Sequence, residues 1–161
     1  MSLPQMEALT RQLEDRVSAY LHRTGEPPPQ PKGFSRLFRR WLSYSEQETE
    51  PIHRDFLSGV TALTEELAQT GATLPPEDRQ EAGKLAERAL ACLLQTPPAG
   101  LPNERKVYLA AVQAAGVPLL PLLDQVQLAR QRDALLAQTP RRLLYPRQRE
   151  LLEEMERKLK P

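Results

Sequence analysis

The sequence predicts an all-α fold, a compact bundle of six to seven short helices with an N-terminal helix set off by a proline-rich connector. Apolar residues recur every three or four positions through most of the chain, as in amphipathic helices. No segment alternates with period two for long enough to form a strand. Proline is abundant, at 16 of 161 residues, whereas glycine is scarce at 7. This balance favours helices separated by prolines over a sheet with glycine-bearing hairpins.

Residues 1–24 are predicted to form the N-terminal amphipathic helix, with Ser2 as its N-cap. Its apolar face consists of Met6, Leu9, Leu13, Val17, Tyr20 and Leu21. Residues 25–33 contain four prolines, which fix φ and remove backbone donors, so this segment is an extended linker. Residues 34–161 form the remaining helical domain. The pattern leaves open whether the first helix packs on its own chain or acts as a docking arm for a partner.

Glycine, proline and capping residues divide the helical domain. A short helix is expected over 35–43, and a longer one from Thr49 to Thr70 with Gly71 as its stop. The next begins at Leu74-Pro75-Pro76 and runs to Gln95, with proline and acids in its first turn.

Three further helices follow in the C-terminal half. Asn103 caps the first, which reaches Ala115 and ends at Gly116. The second extends from Val117 to Gln138, and the last runs from Tyr145-Pro146 to Lys160.

Motifs for catalysis are missing from the sequence. It has no glycine-rich phosphate loop, no Gly-x-Ser-x-Gly elbow and no cysteine pair for zinc. Glu50 and His53 have the Glu-x-x-His spacing of helical di-iron sites, but the second copy would need an acid where Ala19 precedes His22. We therefore interpret Glu50 and His53 as a solvated first turn, and we expect no catalytic residue, no metal and no cofactor.

Cys92 is the only cysteine, which excludes an internal disulfide and indicates a reducing compartment. Its position among alanines and leucines is typical of a small core residue. No secretion signal and no window of about 18 apolar residues is present. The sequence thus predicts a cytoplasmic protein without a membrane span.

An aromatic and basic segment lies between Lys32 and Leu42, with four basic residues and no acid. Its rings can be core anchors with arginines on their solvent side. Alternatively, the segment contacts a protein, a nucleic acid or an anionic membrane surface. The candidate contact residues are Phe34, Arg36, Phe38, Arg39, Arg40 and Trp41.

A second basic stretch runs from residue 130 to residue 149, where Asp133 is the only acid. Arginine forks match carboxylates and phosphates bidentately, which points to an anionic or acidic partner. Arginine outnumbers lysine 17 to 5 in the whole chain, so composition also accounts for part of this bias. The candidate residues are Arg130, Arg132, Arg141, Arg142, Arg147 and Arg149.

These observations together predict a non-enzymatic helical protein-binding module, such as an adaptor, chaperone or regulatory subunit. The first helix and the aromatic segment would supply contacts. The alternative is a nucleic-acid-binding regulator that uses the stretches 32–42 and 130–149. The last helix, rich in Glu, Arg and Leu, leaves a homodimer open.

Overall fold

The fold is all-α, as the sequence predicts. A computed structural model describes residues 2–25, 43–95 and 103–160, with side chains over 2–21, 53–95 and 106–160. Within these ranges there is no strand, and six α-helices are present: α1 (Leu3–Gly25), α2 (Ser43–Thr73), α3 (Arg79–Leu93), α4 (Asn103–Ala114), α5 (Gln125–Gln138) and α6 (Pro146–Leu159). Three 3-10 turns, Pro76–Asp78, Val117–Leu122 and Arg141–Leu143, lie between them.

Helix α1 packs into the body of its own chain. Its apolar face lies against α2 and α3, and the side chains of Met6 and Leu13 are completely buried. Ser2 caps it as predicted, because its hydroxyl accepts the Gln5 N–H and the Gln5 side chain accepts the Ser2 N–H. The sequence leaves open whether this helix packs in cis, and the structure shows that it does.

An ion pair adds a polar contact between α1 and α3. The guanidinium of Arg88 donates to both carboxylate oxygens of Glu14, at 2.6 to 3.1 Å. This hydrogen bonding lowers the pKa of Glu14 from its ordinary value of 4.5 and raises that of Arg88. Both side chains are more than a third exposed, so the pair is a surface contact.

The predicted bounds of α2 are wrong at both ends. The helix begins at Ser43, before Thr49, because residues 46–48 are good helix formers. It also continues through Gly71 to Thr73. A Cβ at Gly71 would lie 2.6 Å from Leu122 Cδ1 and 3.2 Å from Met6 Cε. Gly71 therefore serves a close approach of three segments and does not terminate the helix.

The predicted helix from Val117 to Gln138 is also interrupted. Its first part is the 3-10 turn Val117–Leu122, and the chain is extended at Leu123 and Asp124 before α5 begins. Pro121 cannot donate a backbone hydrogen bond, which weakens a continuous α-helix there. Asp124 then starts a new helix with a capping box, since its carboxylate accepts the Gln127 N–H at 2.8 Å and the Gln127 side chain accepts the Asp124 N–H.

Two sequence predictions lie outside the described residues. The first is the linker 25–33, of which only Gly25, the last residue of α1, is described. The second is the helix predicted over 35–43, of which only Ser43 is described. No helix in the part of the chain that the structure describes is both long and apolar enough to cross a membrane.

The packing of α1 can be tested by truncating its core. We expect Leu13→Ala to lower the free energy of unfolding by about 2–5 kcal/mol, because a fully buried leucine is replaced by a cavity. Urea denaturation monitored by circular dichroism measures this. The exposed neighbour Gln12, changed to Ala, is the control and should stay within about 0.5 kcal/mol of the parent. Equal midpoints for both variants would show that α1 does not belong to the core.

The Glu14–Arg88 pair gives stability with a defined pH dependence. Because the pKa of Glu14 is lower in the folded chain than in the unfolded chain, the stabilisation is complete above about pH 4.5 and disappears as the pH falls through the folded value. We expect Glu14→Gln to be destabilised by about 1 kcal/mol or less at neutral pH, as for an exposed pair. Denaturation from pH 3 to 7 should show this difference shrinking in acid, and Arg88→Gln should behave in the same way. A difference that stays constant down to pH 3 would contradict this assignment.

Candidate binding site

An exposed apolar residue follows Arg142 in the turn that joins α5 and α6, and Arg149 of α6 donates to the same turn. We call Arg142, Leu143 and Arg149 the arginine corner. Leu143 is 61% exposed, the highest value after Val126 among the large apolar side chains that the structure describes. Arg142 and Arg149 are both exposed, and Arg149 Nη2 is 3.4 Å from the Arg142 carbonyl oxygen. Across the described side chains, no carboxylate lies within 4 Å of either guanidinium. The corner thus combines apolar surface with two guanidiniums that have no counter-ion among the described side chains.

The other four arginines of the predicted stretch 130–149 each have a carboxylate partner. The distances are 2.9 Å for Arg130–Glu87, 3.1 Å for Arg132–Asp133, 2.8 Å for Arg141–Glu156 and 3.6 Å for Arg147–Glu150. The six residues are therefore not equivalent, and the structure does not assemble them into one unneutralised basic surface. Arg130 lies near the middle of α5, whereas Arg141, Arg142, Arg147 and Arg149 follow the C-terminal end of that helix.

The Arg141–Glu156 pair fixes the turn to α6. Arg141 donates through Nη1 and Nη2 to the two carboxylate oxygens of Glu156, at 2.8 and 2.9 Å. This hydrogen bonding lowers the pKa of Glu156 and raises that of Arg141. A fork of this kind restrains both position and rotation of the side chain, so Arg141 orients the turn that presents Leu143.

Two buried glutamines, Gln113 and Gln148, connect the arginine corner to the rest of the fold. Gln148 Nε2 donates to Gln113 Oε1 at 2.8 Å, which joins α6 to α4. Gln148 Oε1 also accepts the backbone N–H of Tyr145 at 2.9 Å, at the start of α6. Leu144, next to the exposed Leu143, is buried. The corner is therefore preorganised.

Sequence reasoning missed this role of the glutamines, although one signal was present. Gln148 occupies the third position of α6, where glutamine commonly accepts the N-cap N–H. Its second bond, to Gln113, joins residues 35 apart in the chain, and no local pattern indicates it.

A groove of about 620 Å³ lies between the start of α3 and the start of α5. We call it the α3–α5 groove. Its lining includes Arg79, Lys84, Glu87, Leu122, Val126 and Arg130. Arg130 is the only one of the predicted anion-binding arginines that lines this groove.

His53 is buried and lies well inside α2, so its interpretation as part of a solvated first turn is wrong. The Tyr20 hydroxyl is hydrogen-bonded to His53 Nδ1. The ring of Tyr108 lies 5.1 Å from the imidazole, and that of Tyr20 stacks on Phe56 at 3.8 Å. The imidazole therefore belongs to an aromatic contact among α1, α2 and α4.

The described part of the chain gives this histidine no three-ligand metal site. No three His, Cys, Asp or Glu side chains described there could hold a metal ion together. The side chains of Glu50 and His22 lie outside the described residues.

The cysteine is not a reactive thiol. Cys92 is half-buried rather than fully in the core, and burial raises its pKa to about 11. At neutral pH the thiol stays protonated, which makes it a poor nucleophile.

The aromatic and basic candidates of the first stretch stay predictions. Phe34, Arg36, Phe38, Arg39, Arg40 and Trp41 all lie outside the described residues.

No protein-family model, curated protein or solved structure matches the chain. A function must therefore be inferred from the chemistry of its own surfaces.

The glutamine pair can be tested by removing one partner. We expect Gln113→Leu to destabilise the fold by about 1–3 kcal/mol, because the buried Nε2 of Gln148 loses its acceptor. Gln69→Leu, at an exposed position of α2, is the control and should change stability by about 0.5 kcal/mol or less. Urea denaturation provides both values, and a neutral Gln113→Leu would show that the pair does not fix α6 to α4.

Proposed function

We propose that the chain is a non-enzymatic protein-binding module. Its arginine corner binds a partner surface on which acidic side chains flank an apolar one. The observation that carries this proposal is the 61% exposure of Leu143 next to Arg142, on a turn that Arg149 contacts and that internal bonds fix. Arginine is enriched at protein interfaces and among the residues that dominate their binding energy.

The apolar centre of the corner favours a protein over a nucleic acid. A leucine side chain gains from burial against apolar groups, which a phosphate backbone does not offer. Each of the two guanidiniums can pair with a carboxylate on either side of that contact. A strongly salt-dependent nucleic-acid binder makes about 6–10 phosphate contacts, whereas the corner supplies two arginines with no carboxylate partner among the described side chains.

The rigidity of the turn supports the same proposal. Association is opposed by the entropy lost when side chains and loops become ordered. The turn is already restrained by Arg141 on one side and Gln148 on the other. A partner therefore orders little more than the side chains of the corner themselves.

Site-specific photo-crosslinking in cells of the native host tests this proposal. We expect a photoreactive residue at position 143 to give a discrete protein adduct of constant mass. Adding Arg142→Gln and Arg149→Gln should reduce its yield by about tenfold, because two charge-assisted contacts are lost. The control is the same probe at Val107, which is 52% exposed on α4 and should not give that adduct. Identical adducts at both positions, or a yield unaffected by the arginine substitutions, would contradict the proposal.

The salt dependence of nucleic-acid binding provides an independent test. We expect the purified chain to bind duplex DNA and single-stranded RNA no more strongly when Arg142 and Arg149 are present than when both are glutamine. Fluorescence anisotropy at salt concentrations from about 50 to 200 mM measures this, since phosphate contacts lose affinity steeply over that range. A steep salt dependence that disappears in the double variant would assign the corner to nucleic acid instead.

A further inference from the structure

The α3–α5 groove has the volume of a small-molecule site. Its volume of about 620 Å³ falls within the range of roughly 300–1,000 Å³ usual for such sites. One wall is the first part of α3, from Arg79 to Glu87, and the other is the first half of α5, up to Arg130, with Asp124 before it. Leu122 and Leu123, at the end of the 3-10 turn, complete the lining.

Three cations line the groove, and two of them are only lightly engaged. Arg79 has no carboxylate within 4 Å among the described side chains. Lys84 pairs with Glu81 at 3.0 Å, but both side chains are about 60% exposed and Glu81 is not part of the lining. Such a pair is readily exchanged for another anion.

The two acids of the groove are already used by the fold. Glu87 is 13% exposed, and its two oxygens accept from Arg130 and from Gln131, each at 2.9 Å. Asp124 accepts the Gln127 N–H and caps α5. The lining therefore carries three cations and two carboxylates, a net formal charge of +1, and Arg79 is the cation among them with no carboxylate within 4 Å in the described side chains.

An apolar surface accompanies this charge. Val126 is 66% exposed, the most exposed large apolar side chain in the described ranges, and Leu122 beside it is half-buried. A bound apolar chain would remove both from water, which is favourable in proportion to the area covered.

We propose that the α3–α5 groove binds a small organic carboxylate with an apolar body. The carboxylate would lie between Arg79 and Lys84, and the apolar body would cover Leu122 and Val126. This site is independent of the arginine corner and does not rest on the proposed protein-binding function.

Titration of the full chain with sodium octanoate, followed by nitrogen-15 NMR, tests the proposal. We expect saturable 1:1 binding with shift changes centred on α3 and the start of α5. Acetate lacks the apolar body and octan-1-ol lacks the charge, so each should bind at least about tenfold more weakly. Failure of octanoate to saturate, equal affinity for octan-1-ol, or shift changes at the arginine corner would overturn the proposal.

Two substitutions test the two ends of the proposed site. Arg79→Gln and Val126→Asp should each weaken octanoate binding by about tenfold or more, through loss of a charge-assisted contact and through repulsion of the anion. Aspartate in the first turn of α5 is compatible with the helix dipole, so the Val126→Asp variant should fold, as circular dichroism can verify. Arg11→Gln and Val107→Asp, at exposed positions outside the groove, are the matched controls and should bind octanoate like the parent. Parental affinity in the Val126→Asp variant would refute the site.

Discussion

Burial of the apolar face of α1 is the contact on which the rest of the structure depends. Met6 and Leu13 are fully buried, and each such side chain contributes roughly 1.5–3 kcal/mol of burial energy. The effect extends beyond α1, because Met6 also approaches Gly71 of α2, where the methyls of Leu122 lie. This close approach positions the 3-10 turn that precedes α5 and, with it, the lining of the α3–α5 groove.

Polar bonds set the details that apolar contacts leave undefined. Leucine and alanine faces tolerate small rotations of one helix against another, whereas a hydrogen bond requires a particular direction. Gln131 meets Glu87 between α5 and α3, and Gln148 meets Gln113 between α6 and α4. Since an unpaired buried amide is costly, each bond favours one arrangement of its two helices. The groove and the arginine corner are both shaped by such bonds.

The sequence was most informative where local periodicity determines the outcome. Spacing alone identified the buried face of α1, because a helix places Met6, Leu13 and Val17 on one side. The sequence-based prediction failed at Gly71. A single sequence does not distinguish a glycine that ends a helix from one that makes room for a neighbouring leucine. The sequence also could not show that Arg130 and Arg141 have carboxylate partners whereas Arg142 has none among the described side chains. Their partners, Glu87 and Glu156, are 43 and 15 residues away, so only the tertiary fold shows which arginines are neutralised.

Helix α5 determines whether the two proposed surfaces affect each other. The groove lies along the first half of this helix, and the arginine corner follows its last turn. Its 14 residues span about 20 Å. Helix α3 and the residue that follows it are bonded to α5 at two points, through Glu87 to Arg130 near the middle of α5 and through the Leu94 carbonyl to the Gln138 side chain at its end. Coupling between distant sites requires an element with two arrangements that both ligands distinguish. A helix pair bonded in this way favours a single arrangement, so a ligand in the groove would leave the geometry of the corner unchanged, and the two surfaces would be occupied independently.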